Sequence, residues 1–490
     1  MLIWFLPVFL LFLMIGLPVF FGLLAAPGIL LWLNGQERDI TLLYRNVYNG
    51  MDSFPLMAIP FFMLAGEMMN RGGITIRLVE FSQALMGHLR GGLAHVNILS
   101  SILFAGLSGS AVADTSALGS MLIPAMEKQG YTRRFAAAIT AASSVIGPII
   151  PPSGIMIIYA YVMGESVAAL FLAGIVPGLL VGIGLMIMVR LMADRYDLPK
   201  AERIVQKNQT ISPVEGGFSF VLLRLNLAAI LWLLGGLVAE VPLPAWSVFL
   251  FWLAIAHGLL MWLRGRVGSD FRIICKKAVV PLQTPIIIMG GILLGVFTPT
   301  EAAAIAVFYA IIIAFFILRT MTLADLPAVL SRAAMTSAVV LLLVGAAMAF
   351  KTVVSLSYAP QILAEFILGL SDNPLMLLFL INVLLFIVGM FLDAGPAIII
   401  LGPILGPIFI DMGVHPVHFA IIMSVNLTVG LATPPMGLVL FVASSVSGER
   451  VETISKAILP FLAVEVLVIF LITYIPAISM TIPRWAGFVQ

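Results

Sequence analysis

Residues 147–156 read GPIIPPSGIM and residues 430–439 read GLATPPMGLV. Each sets Gly-x-x-x-Pro-Pro-x-Gly inside a strongly apolar stretch. A proline has no N–H to give to the carbonyl four residues back. Pro151 therefore leaves the carbonyl of Gly147 without its helical donor, and Pro434 does the same to Gly430. In hydrocarbon an unpaired carbonyl costs several kcal/mol unless something takes it up. A cation can do so, while the positive N-terminal end of the next helical segment can face an anion. A proline kink without a ligand is the plainer reading of one such break. Two breaks at matching places weigh against it.

The match extends upstream. A shift of 283 residues lays Gly147 on Gly430, Pro151 and Pro152 on Pro434 and Pro435, and Gly154 on Gly437. It also lays Gly106 on Gly389, Ser110 on Asp393, Gly119 on Gly402, Pro124 on Pro407 and Gly130 on Gly413. This is an internal repeat of about 55 residues. Each unit opens with an apolar segment broken by small and polar residues, GLSGSAVADTSALGS in one and GMFLDAGPAIIILGP in the other. Such a segment predicts a re-entrant hairpin. A turn, a half-helix, the Pro-Pro break and a second half-helix follow.

The rest of the chain sets the medium. Of 490 residues 62% are hydrophobic and 10% charged, and mean hydropathy is +1.16. No soluble protein of this length buries so much apolar surface. A span takes roughly 20 apolar residues, so the chain has length for roughly a dozen. The fold class is an all-α polytopic membrane protein with inverted repeats. The single Cys275 excludes a disulfide framework, and five scattered His leave little for a metal centre. The apolar run from Leu2 to Leu33 is too long for a signal peptide core. It makes either one long tilted span or two short ones.

Lys and Arg orient the spans. Lys128, Arg133 and Arg134 mark one turn as cytoplasmic, and Arg190, Arg195, Lys200, Arg203 and Lys207 mark a second. The matching turn of the second unit, 411–418, has no Lys or Arg and faces outward; Arg450 and Lys456 return inside. The two units are therefore inverted. Residues 71–90 mix Arg77 and Glu80 with apolar positions, as in a helix lying in the interface. The expected division is 1–95 for N-terminal scaffold spans with that arm helix and 96–190 for the first transport repeat. Residues 191–385 hold scaffold spans, including an extra pair at 218–263; 386–448 form the second repeat and 449–490 a C-terminal span.

Broken helices near the midplane of inverted repeats mark the binding sites of secondary transporters. Asp393, at the expected tip of the second hairpin, costs roughly 2.5–3.5 kcal/mol at membrane depth on insertion scales. It either binds an ion or caps the tip. Its mate Ser110 sits in Ser108-Gly109-Ser110, rich in oxygen donors. Hard oxygens with few charges suit Na⁺ rather than a transition metal. Asp114 and Thr115 either line the site or cap the return helix. Glu301, in TPTE at 298–301, either places an acid in the site or closes a capping box, and the cap is the favoured reading. His415 and His418 have no third ligand nearby and read as a polar outer turn.

The stretches GLSGSAVADTSALGSMLIPAM, GPIIPPSGIMIIYA, GVFTPTEAAAIAVFYA and GLATPPMGLVLFVASSVSG resemble the large membrane subunit of TRAP (tripartite ATP-independent periplasmic) transporters. The resemblance covers nearly the whole chain. It implies an elevator fold related to the ion-transporter superfamily and Na⁺-driven uptake of organic acids across the bacterial inner membrane. It implies two partners, a periplasmic substrate-binding protein and a small four-helix membrane subunit, the latter expected as a separate chain. Carried over, a first Na⁺ site would use Ser108 and Ser110 with carbonyls near Gly147, Ile150 and Pro152. A second would use Asp393 with Thr428, Gly430, Thr433 and Pro435. Substrate would lie between the hairpin tips, near Ser108, Gly109, Asp114, Ser153 and Met436. The pair at 218–263 looks like an insertion relative to the usual large subunit.

Three rivals are weaker. The chain has no G-x-x-x-x-G-K-[ST], so ATP hydrolysis by that route is excluded. A membrane-embedded enzyme needs clustered titratable groups, whereas Asp114, Glu301 and Asp393 lie far apart in sequence. A channel needs a continuous pore, while two opposed hairpins suit alternating gates. Nothing in the chain points to nucleic acid.

Overall fold

The computed structural model describes residues 4–33, 35, 37–195, 198–199, 211–236, 245–356, 365, 369, 371 and 373–489. Lys200, Arg203, Lys207 and the end of the expected span 218–238 lie outside them. Helix is the only extended regular structure among the described residues, and nine helices there are long and apolar enough to cross a membrane. The N-terminal run forms two short helices, Phe5–Met14 and Val19–Leu33. Gly16, at φ +88°, and Pro18 part them. The helix over Ile74–Met86 packs against Gly92–Ser108 and Ser269–Leu293, and Arg77 pairs with the buried Glu215. The charge expected at a lipid surface is thus used inside the protein.

The repeat seen in the residues recurs in the elements. The first hairpin is Gly92–Ser108 and Ala111–Lys128, followed by half-helices Arg133–Ser144 and Gly154–Met163. The second is Pro374–Phe391 and Ala394–Asp411, followed by Pro416–Gly430 and Leu438–Ser447. The return arms start at 111 and 394 and end at 128 and 411, the same shift of 283 at both ends. Pro151–Pro152 and Pro434–Pro435 are both cis.

The repeats pack crosswise. Each return arm lies against the second half-helix of the other unit, Ala111–Lys128 on Leu438–Ser447 and Ala394–Asp411 on Gly154–Met163. A Cβ on Gly119 would meet Val446 Cγ1 at 3.4 Å, and one on Gly402 would meet Met163 Sδ at 3.6 Å. These pairs are mates under the same shift, so the two units are related by a pseudo-two-fold. The small residues let the helices approach closely.

Helix Val451–Tyr474 measures the inversion. At roughly 1.5 Å per residue it is about 36 Å long. At its start, Glu452 and Lys456 share a surface cavity with Gly130, Thr132 and Arg134. At its end, Thr473 O and Ser479 Oγ lie 3.3 and 2.7 Å from the ring nitrogens of His418. The turn at 128–133 and the turn at 411–416 therefore lie at opposite ends of the molecule. His418 is buried there, so it fastens the end of the molecule that holds the 411–416 turn to the C-terminal segment. Cysteines at the exposed mates Lys128 and Asp411, with Cys275→Ser, should label from opposite faces of the membrane in vesicles of known orientation. Labelling of both from one face would disprove the inversion.

Around the repeats stand the remaining helices. Leu326–Leu356 packs on Val19–Leu33, Glu37–Met51, Ala58–Arg71 and Ala394–Asp411. Arg71–Asp325 at 2.7 Å and Arg332–Glu67 at 3.3 Å tie it to Ala58–Arg71. Pro299–Ile311 begins with the expected capping box: Thr298 N donates to Glu301 Oε2 at 2.8 Å, and Glu301 N donates to Thr298 Oγ1 at 3.3 Å. The pair Pro213–Gly236 and Ala245–Arg264 packs on itself and on Ser269–Leu293, where Asn226 Nδ2 donates to Gln283 Oε1 at 2.7 Å.

Candidate functional site

A cavity of about 460 Å³ lies where the repeats meet. Both hairpin tips line it, through Gly109, Ser110, Asp393 and Gly395. Across from them stand Met335, Thr336, Val339 and Leu343 of the long helix 326–356. Four helices begin at its wall: Ala111, Gly154, Ala394 and Leu438 are each the first residue of a helix. Each N-terminus carries about half a positive charge on its free N–H groups. Ser110 Oγ accepts from Ala113 N and Ser153 Oγ from Met156 N, both at 3.4 Å, and Asp393 Oδ1 accepts from Ala394 N at 2.8 Å. The helix at Leu438 has Gly437 before it and no side-chain cap. Positive ends converging on a largely apolar chamber favour an anion.

The expected site residues separate into groups. Gly109, Ser110 and Asp393 line the cavity. Gly109 needs its left-handed φ of +60°, and a Cβ there would sit 2.7 Å from Pro152 O. The tip of the first hairpin thus rests on the Pro-Pro loop. Asp393 is exposed into the cavity while it caps its helix, so the two readings of it are compatible.

The other expected substrate contacts lie off the cavity wall. Ser108 Oγ donates to Asp114 Oδ1, and Asp114 is fully buried. Ser153 Oγ donates to Pro148 O at 2.5 Å. That carbonyl stands four residues before Pro152, so the serine supplies the donor the proline lacks. Met436 is 53% exposed and is not among the residues that line the chamber.

The two breaks differ. In the first, Ile150 N donates to Ile146 O at 3.0 Å, and Pro151 stands where a donor to Gly147 would be. In the second, Thr433 N donates to Gly430 O at 3.0 Å and Val439 N to Leu431 O at 3.0 Å. The expectation that Pro434 opens the carbonyl of Gly430 is therefore corrected: the chain tightens into a turn there. Thr428 Oγ1 donates to Ser424 O and Thr433 Oγ1 to Val429 O, and Pro435 is off the cavity wall. Both threonines keep lone pairs, the only kind of group they offer a cation.

Residue patterns missed the far wall. Thr336 is its one hydroxyl, and within AAMTSAVVLLLVG it looks like any helix-tolerated threonine. They also missed a buried polar ladder joining first hairpin to first broken helix. Asn97 Nδ2 donates to Thr140 Oγ1 at 2.7 Å, Ser143 Oγ to Asn97 Oδ1 at 3.0 Å, and Thr115 Oγ1 to Ser144 Oγ at 2.6 Å. Among the described residues no three His, Cys, Asp or Glu gather as a metal centre.

A family model described as "Tripartite ATP-independent periplasmic transporter, DctM component" matches residues 6–478. The chain belongs to that family. The permease is 35% identical over 466 residues to the C4-dicarboxylate TRAP transporter large permease protein of Pseudomonas aeruginosa, covering 95% of this chain and 94% of that one. It is 35% identical over 472 residues to the sialic acid TRAP transporter large permease protein of Vibrio cholerae, covering 96% and 95%. Its fold is similar to that of the Alcanivorax borkumensis YdaH transporter, whose crystal structure is described as revealing an unusual topology. There the TM-score is 0.53 at 17% identity, over 93% of this chain and 89% of that one. The permease is thus a multi-pass inner-membrane transporter component and not an enzyme.

Proposed function

We propose that the permease takes up an organic anion on a Na⁺ gradient by an elevator movement of its two repeats. In this reading the repeats form the mobile unit and the helices around 326–356 the scaffold. The convergence of four helix N-termini on the cavity between the hairpin tips carries the anion reading. Crosswise packing supports the movement, because neither repeat can shift without the other. Relatives named for a C4-dicarboxylate and for sialic acid fit an organic acid as cargo. A periplasmic binding protein would deliver it, and a small four-helix subunit would complete the membrane part.

For Na⁺, the oxygen atoms that Ser108, Ser110, Gly147 and Asp393 can offer, with no imidazole or thiolate among them, fit a hard monovalent cation. Energetics ask for more than one ion. Each net charge gains about 2.3 kcal/mol per 100 mV, and a tenfold gradient adds about 1.4 kcal/mol per ion. Two Na⁺ with a monoanion gain about 5 kcal/mol, enough for several-thousand-fold accumulation. In proteoliposomes holding permease and small subunit, uptake should be silent until binding protein is added, and then rise sigmoidally with Na⁺. Full-rate uptake without the binding protein, or equal uptake on a proton gradient in Na⁺-free buffer, would overturn the proposal.

A further inference from the structure

Arg224 stands inside FVLLRLNLAAILWLL, the apolar run of helix Pro213–Gly236. An arginine there is costly, and such residues as a rule face the bundle interior or a partner charge. Among the described residues no acid pairs with this one. Its Nε donates instead to Nδ1 of His257, on helix Ala245–Arg264, at 2.9 Å, and its Nη1 donates to Phe220 O at 2.8 Å. A guanidinium is always charged and carries more N–H groups than these two bonds use. His257 accepts at Nδ1, so its neutral ring keeps its proton on Nε2 and offers a further donor. The pair is a set of donors with a positive charge and no anion.

The pair also faces outward. Asn226, which donates to Gln283, ties its helix to Ser269–Leu293. Arg224 lies two residues away, about 200° round the helix, and so points away from that contact. Only 17% and 6% of the most apolar stretches of the two helices are buried within the protein. Between them runs an open groove of about 390 Å³, where Arg224 and His257 sit among Val221, Leu225, Leu250 and Leu253. Trp232 meets Phe249 as Arg224 meets His257, so the helices are antiparallel and the start of one lies beside the end of the other. That shared end carries Arg264, Arg266 and Arg272, which mark it as cytoplasmic. Trp262 is exposed there with the Arg266 guanidinium 3.8 Å from its ring centre, as at a membrane interface. His257 stands about 10 Å in from Arg264. The Arg224 guanidinium lies back over the Phe220 ring, 3.2 Å from its centre, one turn nearer the same surface.

We propose that Arg224 and His257 hold the phosphate of an anionic phospholipid from the cytoplasmic leaflet, with one acyl chain laid in the groove between their helices. A phosphodiester accepts from both side chains at once, and guanidinium–phosphate bonds are of the strong, charge-assisted kind. Basic pockets between membrane helices on the cytoplasmic side suit such headgroups. A helix of another protein would have to bring its own acid to this spot, whereas a lipid brings charge and chain together.

Native mass spectrometry of the purified permease–small subunit complex tests this, after delipidation and titration with palmitoyl-oleoyl phosphatidylglycerol or phosphatidylcholine. One phosphatidylglycerol should bind at least tenfold tighter than phosphatidylcholine. Arg224→Gln should abolish that preference, His257→Leu should weaken binding at least threefold, and Arg266→Gln should change it less than twofold. Glycerol 3-phosphate in tenfold excess should leave the lipid in place, since it brings no chain to the groove; displacement by it overturns the proposal. So does a preference that survives Arg224→Gln. Should that variant fail to accumulate, His257→Leu carries the test, and unchanged binding there overturns the proposal. A native complex without the preference overturns it too. Shielding of a cysteine at Leu253 by the small subunit, in a Cys275→Ser background, would then name a membrane helix as the occupant.

Discussion

Replacing Asp393 with Asn is expected to cut Na⁺-driven uptake roughly thirtyfold, the factor that about 2 kcal/mol of lost ion binding corresponds to. The substitution removes a charge and little else. Asp393 Oδ1 accepts from Ala394 N at 2.8 Å, and the amide oxygen of Asn caps a helix as well. Asp393 also faces the cavity rather than the packed core, so the substitution disturbs no packing. The loss should therefore show in function and not in yield. If the carboxylate serves the ion, the Na⁺ dependence becomes less steep and its midpoint moves up, while the apparent affinity for substrate at saturating Na⁺ holds. A Na⁺ curve unchanged in shape and midpoint would rule the role out.

Gly430→Ala should fail for a different reason. Its new methyl carbon would fall 2.6 Å from both C and Cα of Gly389. Those are backbone atoms of the first arm of the second hairpin, so no side chain can swing away. The crossing helices must part, at a cost of about 3 kcal/mol, the upper range for overpacking. Gly119→Ala is the control. Its methyl meets only the tips of Ile123, Thr140 and Val446, each at 3.4 Å. It should stay within about 1 kcal/mol of the native chain. Melting of the two purified variants by fluorescence decides the matter. Equal melting temperatures would mean that Gly389 and Gly430 do not cross as described.

The repeats were legible because proline and glycine act through the backbone, and backbone rules survive without knowledge of neighbours. A Pro-Pro pair breaks a helix wherever it stands, so two pairs in register fixed the hairpins, the broken helices and the special place of Asp393. Asp114 was not legible in the same way. Its position four residues past Ser110 says it starts a helix, but its burial depends on Gly147, which arrives from another element. The wall at Met335, Thr336 and Val339 was hidden for the same reason, being set by packing across more than 200 residues of chain. The carbonyl of Gly430 was misjudged because Thr433 folds back onto it, a local turn the proline rule does not see.

Crosswise packing also governs how the permease is made. The first return arm, complete at Lys128, has its partner in Leu438–Ser447. At a synthesis rate of about 5–20 residues per second, that partner emerges roughly 15–60 s later. Until then the side of Gly119 that meets Val446 lacks that neighbour, although Thr140 of the first half-helix already covers part of it. The early half of the chain is inserted long before it is folded, so its survival in the cell depends on what shelters that face while the ribosome finishes the other half.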